Sequence, residues 1–312
     1  MVERSPLSVR QTLKELQMAP STYYRWKRRY TEQGLVGLEG LPPVPRKVWN
    51  KLRDEERQDV VGYTLEHSSL SSREIATRLV DTAGRFISEA TVYRILKEAR
   101  LIKPREAKGF PAGKAYQVKT HQPNELWHTD ASYFFVVGWG YYHLISVLDD
   151  YSRMILGWKV QPRMSSPDII EVVQEAIEFT GQPAVPVEPG PALLTDHGPG
   201  FLSRILEEFL MLRAMQHIVA SPFHPQTNGK LERYHRTAKA KVNLFIYHSP
   251  EALREAMASF VDYYNHQRYH EALDNVTPAD VYYGRWEETL ARREEVKQQT
   301  LAARKMANLS TA

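Results

Sequence analysis

The sequence predicts an α/β fold, a mixed sheet flanked by helices, preceded by all-α helical modules. Runs of β-branched and aromatic residues within 126–160, joined by short turns, predict an antiparallel meander of three strands. Alternating helical and strand patterns over residues 166–245 then predict a layered α/β core, in which Ser166 and Ser203 are expected to cap the helices that follow them. Before these, residues 9–30 and 71–101 each show a pair of helical segments around a break.

The composition excludes several classes of protein. The chain contains no cysteine, which excludes disulfides and thiolate zinc sites. No apolar run has the length of a membrane span, and the polar, basic start of the chain does not resemble a secretory signal. We therefore expect a cytoplasmic protein that does not contact a membrane.

Charge is divided unevenly along the chain. Residues 1–120 carry 23 Lys and Arg against 14 Asp and Glu, a balance of +9, whereas the remaining residues carry 18 against 23, a balance of −5. A basic front half indicates a polyanionic partner, although a well-solvated surface would produce the same balance.

The first helical pair lies in residues 9–30. Pro20 separates its two segments, and Ser21 or Thr22 is expected to cap the second. Leu16 and Trp26 are expected to pack the module. The pair resembles a helix-turn-helix, whose second helix enters the DNA major groove. The residues expected to face DNA are Ser21, Thr22, Tyr23, Arg25 and Arg28.

The second helical pair lies in residues 71–101. Ser71 and Glu74 predict a capping box, Gly84 breaks the chain, and Ser88 is expected to cap the next helix. This pair also resembles a helix-turn-helix, and the residues expected to face DNA are Thr91, Arg94 and Lys97. Helical hairpins with basic solvent-facing sides are the alternative for both pairs.

Glycine and proline punctuation divides the 312 residues into several segments. The expected order is a helix-turn-helix module in 1–40, a linker in 41–58, a second module in 59–103, a linker in 104–120, the α/β core in 121–248 and a helical C-terminal region in 249–312.

Three acids stand where an α/β core can bring them together. Asp130 lies in the first strand, Asp196 follows the strand at 192–195, and Glu232 lies in the first turns of the helix expected from Asn228. Two carboxylates about 4 Å apart repel by roughly 4 kcal/mol at an effective dielectric near 20, so such a cluster requires protons or cations. Oxygen ligands without cysteine favour Mg²⁺ or Mn²⁺, which support phosphoryl transfer.

Neighbouring polar residues leave alternatives open. Asp149 and Asp150 compete with Asp130 as the first metal ligand, although we interpret them as turn residues. His197 and His224 flank the acids in sequence. They could orient water or contact phosphate, but we interpret them as structural histidines.

Several motifs resemble those of insertion-sequence DDE transposases of the retroviral-integrase-like superfamily, and the resemblance extends to about Gly284. They are residues 127–130 (WHTD), 147–153 (VLDDYSR), 195–198 (TDHG), 221–233 (SPFHPQTNGKLER) and 263–273 (YYNHQRYHEAL), followed by Thr277-Pro278. The resemblance implies a ribonuclease-H-like catalytic core. It also implies that two Mg²⁺ ions, for which Mn²⁺ can substitute, are bound by Asp130, Asp196 and Glu232.

The same resemblance implies a basic residue seven positions after the glutamate, which here is Lys239. Glu232, Arg236 and Lys239 fall on one helical face at spacings i, i+4 and i+7. That face would present one metal ligand and two cations to a phosphate backbone. A solvated charged helix is the alternative.

The activity implied by the resemblance is DNA transposition. A polynucleotidyl transferase would bind the terminal inverted repeats of a mobile element, cut the element strand and join it to target DNA. The resemblance further implies a homodimer or larger assembly on double-stranded DNA in the bacterial nucleoid. A DNA-binding regulator with a decayed core and a stand-alone nuclease of the ribonuclease H type are the alternatives.

Overall fold

The computed structural model describes residues 2, 5–39, 48–102, 120–181, 190–220 and 229–310. They divide into two compact units, one formed by Met1–Lys51 with Lys305–Ala312 and one formed by Leu52–Arg304. Most of the two predicted linkers, and the motif residues 221–228, lie outside the described residues.

The first unit contains the first predicted helical pair. Its elements are α1 (Val9–Glu15), α2 (Pro20–Gln33) and a 3₁₀ helix (Gly34–Leu38). α2 begins at Pro20, because a proline at the first helical position has no N–H to leave unpaired. The expected cap at Ser21 or Thr22 is therefore wrong.

The packing residues expected for this first pair are also wrong. Leu16 and Trp26 are 44% and 49% exposed. Leu16 is the C-cap of α1 and does not lie on the inward face of the helix, where Leu13 is buried. Every residue of α2 is described, and none of them is buried.

The second unit begins with a three-helix module. It consists of α3 (Asp54–Glu66), α4 (Ser72–Ala83) and α5 (Glu89–Glu98), packed around Val60, Ile75 and Val92. The Ser71–Glu74 capping box and the left-handed Gly84 are confirmed. Ser88 is the N-cap of α5, but its Oγ contacts Thr91 Oγ1 at 2.9 Å instead of capping a backbone N–H.

The sequence did not predict α3. This helix begins at Asp54, inside the segment 41–58 that was expected to be a linker, so that boundary is wrong. The apolar residues of α3 are not confined to one face, which removes the helical periodicity from the sequence. The module boundaries otherwise remain predictions.

The α/β core contains a five-stranded mixed sheet in the order β3-β2-β1-β4-β5. The strands are β1 (Leu126–Val136), β2 (Gly140–Asp149), β3 (Ile155–Gln161), β4 (Ala192–Thr195) and β5 (His217–Val219). β2 is antiparallel to β1 and β3, whereas β4 is parallel to both β1 and β5. The meander and the mixed sheet predicted from the sequence are confirmed.

Helices cover both faces of this sheet. On one face, α6 (Ser166–Phe179) and α7 (Arg204–Leu212) share a core with β1–β4. On the other face lie α8 (Gly229–Val242) and α9 (Pro250–His266). The N-cap of α6 is Ser165, one residue before the predicted Ser166, and the predicted cap of α7 at Ser203 is confirmed.

The C-terminal region is helical, as predicted. A 3₁₀ helix (Glu271–Leu273), α10 (Pro278–Tyr282) and α11 (Trp286–Ser310) follow α9. α11 is tied to the three-helix module within the second unit, since Arg304 donates to Glu56 at 2.7 Å and Arg293 donates to Asp81. Among the described residues, no helix is both long enough and apolar enough to span a membrane.

Candidate active site

Asp130 and Asp196 occupy matching positions on neighbouring strands. β1 and β4 are parallel, with His128 opposite Leu194, and each acid comes two residues after that pair. Side chains alternate between the two faces of a sheet, and neighbouring strands lie about 4.8 Å apart. Continuing the register therefore brings the two carboxyl groups to the same face and to adjacent positions.

α8 covers that face and carries the third acid. It shares a hydrophobic core with β1 side chains that point the same way as Asp130, through Phe134, Val136, Leu231 and Tyr234. Glu232 lies in the first turn of α8 and is exposed. One turn later, His235 Nε2 lies 3.9 Å from Asp130 Oδ2.

The charges of these groups act on one another. Burial raises the pKa of Asp130 to about 6, and the N–H of Ala131 partly opposes that rise. The negative charges of Asp196 and Glu232 contribute to this raised value, whereas the positive charge of Lys239 opposes it. The three predicted acids and the predicted cation therefore share one electrostatic neighbourhood.

A tight turn holds Asp196 at the end of β4. Its Oδ1 accepts a hydrogen bond from the N–H of Gly198 at 2.8 Å. A Cβ at position 198 would lie 3.0 Å from that same oxygen and 3.2 Å from the Phe201 ring, which explains the glycine in the motif. The neighbouring His197 is exposed, and His224 lies outside the described residues.

The donor set suits a divalent cation, although the ligands are not gathered into a cluster. Within the described ranges, no group of three or more His, Asp or Glu side chains lies close enough to hold a metal ion. Carboxylate oxygens are nevertheless the ligands that Mg²⁺ prefers, and a cation would relieve the repulsion that helps to raise the pKa of Asp130.

His235 provides a second observation in favour of a ligand at this site. Its ring is 6% exposed, and neither nitrogen has a hydrogen-bond partner within the described part of the chain. Burial and the charge of Lys239 lower the pKa of His235 to about 3, so the ring is neutral. A buried imidazole beside Asp130 can be satisfied by water that a bound ion carries. The sequence analysis did not single out this residue.

A second buried carboxylate, Asp150, is fully engaged elsewhere. Its Oδ1 lies 2.6 Å from His128 Nε2 and 2.5 Å from Lys230 Nζ, and its Oδ2 accepts from Thr120 Oγ1 at 2.7 Å. Burial alone would raise the pKa of Asp150, but the hydrogen bonds from His128 and Lys230 outweigh it and hold the pKa well below its ordinary range. Asp150, His128 and Lys230, which we call the Asp150 group, thus connect β1, the β2–β3 turn and the start of α8. Lys230 lies two residues before Glu232.

Asp149 has the turn role that the sequence predicted. It is completely buried, and its Oδ2 accepts hydrogen bonds from Ser152 N at 2.8 Å and Ser152 Oγ at 2.6 Å. Asp150 also lies in the turn between β2 and β3, as predicted, and is in addition the ion-pair partner of Lys230. The oxygens of both carboxylates accept hydrogen bonds from other protein groups. Asp130 on β1 is therefore the acid that remains available on the side that faces α8.

The predicted DNA-contacting residues are distributed over three helices. Arg236 is exposed on α8, and Lys239 is half-buried with its Nζ 5.0 Å from the centre of the Tyr133 ring. On α2 of the first unit, Arg25 and Arg28 are exposed, whereas Thr22 and Tyr23 are half-buried; Arg28 pairs with Glu32 at 2.8 Å.

On α5 of the second unit, the predicted residues form a small polar group. Arg94 and Lys97 are exposed, and Thr91 is half-buried. Arg94 Nη2 donates to Thr91 Oγ1 at 3.1 Å. Both helices thus present cations to solvent, and contact with DNA remains a prediction.

Comparison with known proteins agrees with this architecture. Residues 120–225 match a family described as an integrase core domain, and residues 213–278 match a second family with the same description, so the two matches span just over half of the chain. The chain therefore contains an integrase core domain within residues 120–278. The integrase core matched here includes Asp130, Asp196 and Glu232. Residues 4–39 and 22–96 match families described as homeodomain-like domains.

Several individual proteins are similar to this integrase core chain. It is 24% identical over 196 residues to the insertion element IS476 uncharacterized 39.2 kDa protein of Xanthomonas euvesicatoria, covering 62% of this chain and 55% of that protein. It is 28% identical over 162 residues to a putative transposase for insertion sequence element IS986/IS6110 of Mycobacterium tuberculosis, covering 51% and 58%. The chain therefore spans less than two thirds of these two relatives.

Among solved structures, the HTLV-2 integrase catalytic core domain in complex with magnesium is similar to this chain. It has a TM-score of 0.42 and 21% identity, covering 53% of this chain and 99% of the solved one.

Proposed function

We propose that this protein is a DDE-type DNA transposase, which cuts DNA at the ends of a mobile element and joins those ends to target DNA. The observation that carries the proposal is the matched register of Asp130 and Asp196 within an integrase core, with the charge of Glu232 acting on the same site. The homeodomain-like modules and the transposase relative support double-stranded DNA as the substrate.

Asp130, Asp196 and Glu232 would hold two Mg²⁺ ions, for which Mn²⁺ would substitute. When bound, such ions activate the attacking oxygen and stabilise the leaving oxygen of an in-line displacement. The protein's own contribution would be to supply three carboxylates to these ions from β1, from the end of β4 and from α8. The Asp150 group would support this arrangement because its hydrogen bond from Lys230 anchors the first turn of α8, which also carries Glu232.

Cleavage and joining are two successive displacements at phosphorus. In the first, water attacks the phosphorus at the element end, the bond to the 3′ oxygen breaks, and a free 3′-hydroxyl leaves with a proton. In the second, this hydroxyl attacks a target phosphodiester and displaces the target's own 3′ oxygen. Neither step requires a covalent enzyme intermediate. Lys239 and Arg236 would bind the flanking phosphates.

The terminal inverted repeats of the element would be bound by the helix-turn-helix modules, with contacts from Thr22, Tyr23, Arg25 and Arg28 on α2 and from Thr91, Arg94 and Lys97 on α5. Two ends must be joined to the same target, so the active species would be a homodimer or a larger assembly on DNA. By the same proposal, the protein acts on DNA in the bacterial nucleoid.

The test is cleavage and strand transfer by the full chain with Mg²⁺, on duplexes taken from the DNA on either side of the coding region. Asp196→Asn and Glu232→Gln are expected to lower both products by at least about 100-fold, because each removes a ligand charge. DNA binding, measured by fluorescence anisotropy, should be retained in both variants.

Glu251→Gln is the matched control, since Glu251 is also an exposed acid in the first turn of a helix, α9. It should leave activity unchanged. Full activity in either Asp196→Asn or Glu232→Gln would contradict the assignment of the acids. DNA binding by the wild type without metal-dependent cleavage would indicate a regulator with a decayed core, and preferential cleavage of RNA–DNA hybrids would indicate a ribonuclease-H-type nuclease.

A further inference from the structure

One face of the β1–β2 hairpin carries exposed aromatic side chains, whereas its other face packs into the core through Phe134, Val136 and Tyr142. Tyr133, Phe135 and Tyr141 are 59%, 54% and 64% exposed. Phe135 lies opposite Tyr141, with ring centres 5.2 Å apart, and Tyr133 lies opposite His143 at 6.3 Å. We call these four residues the aromatic surface. A contiguous exposed aromatic group of this kind marks a binding surface, unlike single exposed apolar residues.

The aromatic surface adjoins the candidate active site along one strand. Tyr133 follows Asp130 by three residues, or about 10 Å at the rise of a strand, which corresponds to about three base steps of a DNA strand. Lys239 links the two regions. It extends from α8, which covers the face that carries Asp130, and its Nζ lies 5.0 Å from the centre of the Tyr133 ring on the opposite face.

The edge of β1 is open where this link occurs. Pairing with β4 ends at His128 and Leu194, and beyond His128 the described residues pair with β1 on that side only at Val136, through an isolated bridge to Tyr247. A strand of DNA leaving the three acids can therefore cross this edge beside Lys239 and reach the aromatic surface.

The charge around the aromatic surface favours a polyanion. Residues 131–148 and 233–250 contain no Asp or Glu, although at the chain's average of 37 acids in 312 residues about four would be expected. The second stretch instead carries Arg233, Arg236, Lys239 and Lys241, of which Lys239 contacts the aromatic surface. Glu171 on α6 forms an ion pair with Lys159 of β3 and accepts a hydrogen bond from Gln161 at 2.9 Å.

We propose that the aromatic surface, with Lys239 at its edge, binds unpaired DNA bases next to the scissile phosphate by stacking. This inference rests on the proposed function and specifies how the same site handles its substrate. Aromatic rings bind bases of any sequence through their faces, and duplex DNA does not offer those faces because its bases are stacked on one another. The surface would thus hold the end of the element in an opened form.

The experiment measures binding of the full chain, in EDTA, to a fluorescein-labelled 20-nucleotide single strand and to the same sequence as a duplex. Phe135→Leu and Tyr141→Leu are tested singly and together. Each is expected to weaken single-strand binding by about 5- to 100-fold, because base stacking on an aromatic side chain contributes on that scale. Duplex binding should change less than about twofold, because it depends on backbone contacts.

Tyr283→Leu is the matched control, since Tyr283 is also about half exposed and lies beside a cation, Arg285. It should bind both DNAs as the wild type does. A 2-aminopurine base in the single strand adds a direct readout, since its fluorescence is quenched on stacking and should recover in the double variant. Circular dichroism establishes that the hairpin variants are folded.

Unchanged single-strand binding in the double variant would overturn the inference. So would an equal loss of single-strand and duplex binding, or a change from dimer to monomer with single-strand binding intact, which would make the surface a contact between copies. The outcome is separable from that of the proposed function. If the wild type cleaves DNA with metal and the hairpin variants bind single strands unchanged, only the stacking proposal is refuted. If the hairpin variants lose single-strand binding but the wild type never cleaves, only the transposase proposal is refuted.

Discussion

Asp81 on α4 is one of the residues that join α11 to the three-helix module, and its substitution gives a quantitative test of this architecture. Its carboxylate accepts hydrogen bonds from Arg293 Nε at 2.8 Å and Nη2 at 2.7 Å, and from the Tyr269 hydroxyl. The Asp81 and Arg293 side chains are only 10% and 12% exposed, so water and salt screen the pair weakly. Asp81→Asn would leave a buried guanidinium without its opposite charge.

The expected loss of stability follows from this geometry. Two unit charges about 4 Å apart attract by about 4 kcal/mol at an effective dielectric of 20. The asparagine oxygen still accepts one hydrogen bond, and the exposed Arg292, 3.7 Å from Asp81, contributes little. We therefore expect Asp81→Asn to lower the free energy of unfolding by about 2–3 kcal/mol.

The effect should depend on pH with a defined sign. Burial opposes ionisation of Asp81, but the hydrogen bonds from Arg293 and Tyr269 and the charges of Arg293 and Arg292 outweigh it and lower the pKa. A carboxyl group whose pKa is lower in the folded state stabilises the protein above its unfolded pKa of about 3.9, and that contribution is lost as pH falls through the folded pKa. The difference between wild type and variant should therefore be full at pH 7 and disappear in acid.

A double-mutant cycle isolates the pair. Urea unfolding is measured for the wild type, Asp81→Asn, Arg293→Gln and the double variant at pH 7, with hydrogen exchange of residues 72–98 as a local probe, since a chain of several modules need not unfold in one step. The coupling free energy is expected to be about 2 kcal/mol. A coupling below about 0.5 kcal/mol would refute the reasoning, because it would place the pair among ordinary surface ion pairs.

Three further changes test the core and the site. Gly157→Ala should destabilise by about 1–3 kcal/mol in urea unfolding, because its Cβ would lie 2.6 Å from a backbone oxygen of α6, whereas Gly62→Ala on α3 meets nothing within 4 Å. Asn265→Leu should cost about 2–4 kcal/mol in the same assay, since the buried amide bonds both Ile155 N and O at 2.9 Å. In EDTA, Asp130→Asn should stabilise by about 1–2 kcal/mol at pH 7.5, because burial raises the pKa of Asp130 to about 6.

Each of these outcomes can be contradicted. For Gly157→Ala, a urea midpoint equal to that of Gly62→Ala would mean that α6 does not approach β3 closely. If the Asn265→Leu variant were as stable as the wild type, the Asn265 amide would not contribute to the stability of β3. Because the pKa of Asp130 is raised in the folded protein, its ionised form destabilises the fold. The stability gained by Asp130→Asn should therefore vanish below about pH 4 and persist above pH 6. A gain that does not depend on pH would have another origin.

The sequence determined those parts of the structure that depend on local chemistry. The three strands of the meander, the Ser71 capping box, the Gly84 helix end and the Ser203 cap were all predicted correctly. Each depends on residues within a few positions of one another, through side-chain alternation or a short hydrogen bond. Helix α3 was not predicted because its apolar residues are not confined to one face of the helix.

Only the tertiary structure decided how distant residues meet. The strand register that aligns Asp130 with Asp196 results from the pairing of β1 with β4, and no local pattern specifies it. The partners of Asp150, the buried His235 beside Asp130 and the exposure of Leu16 and Trp26 likewise depend on which surfaces the fold brings together. Three acids could be chosen from sequence because their residue types suit phosphoryl transfer. Their shared electrostatic neighbourhood exists because packing the sheet against α8 excludes water from Asp130, so that neighbouring charges are felt strongly there.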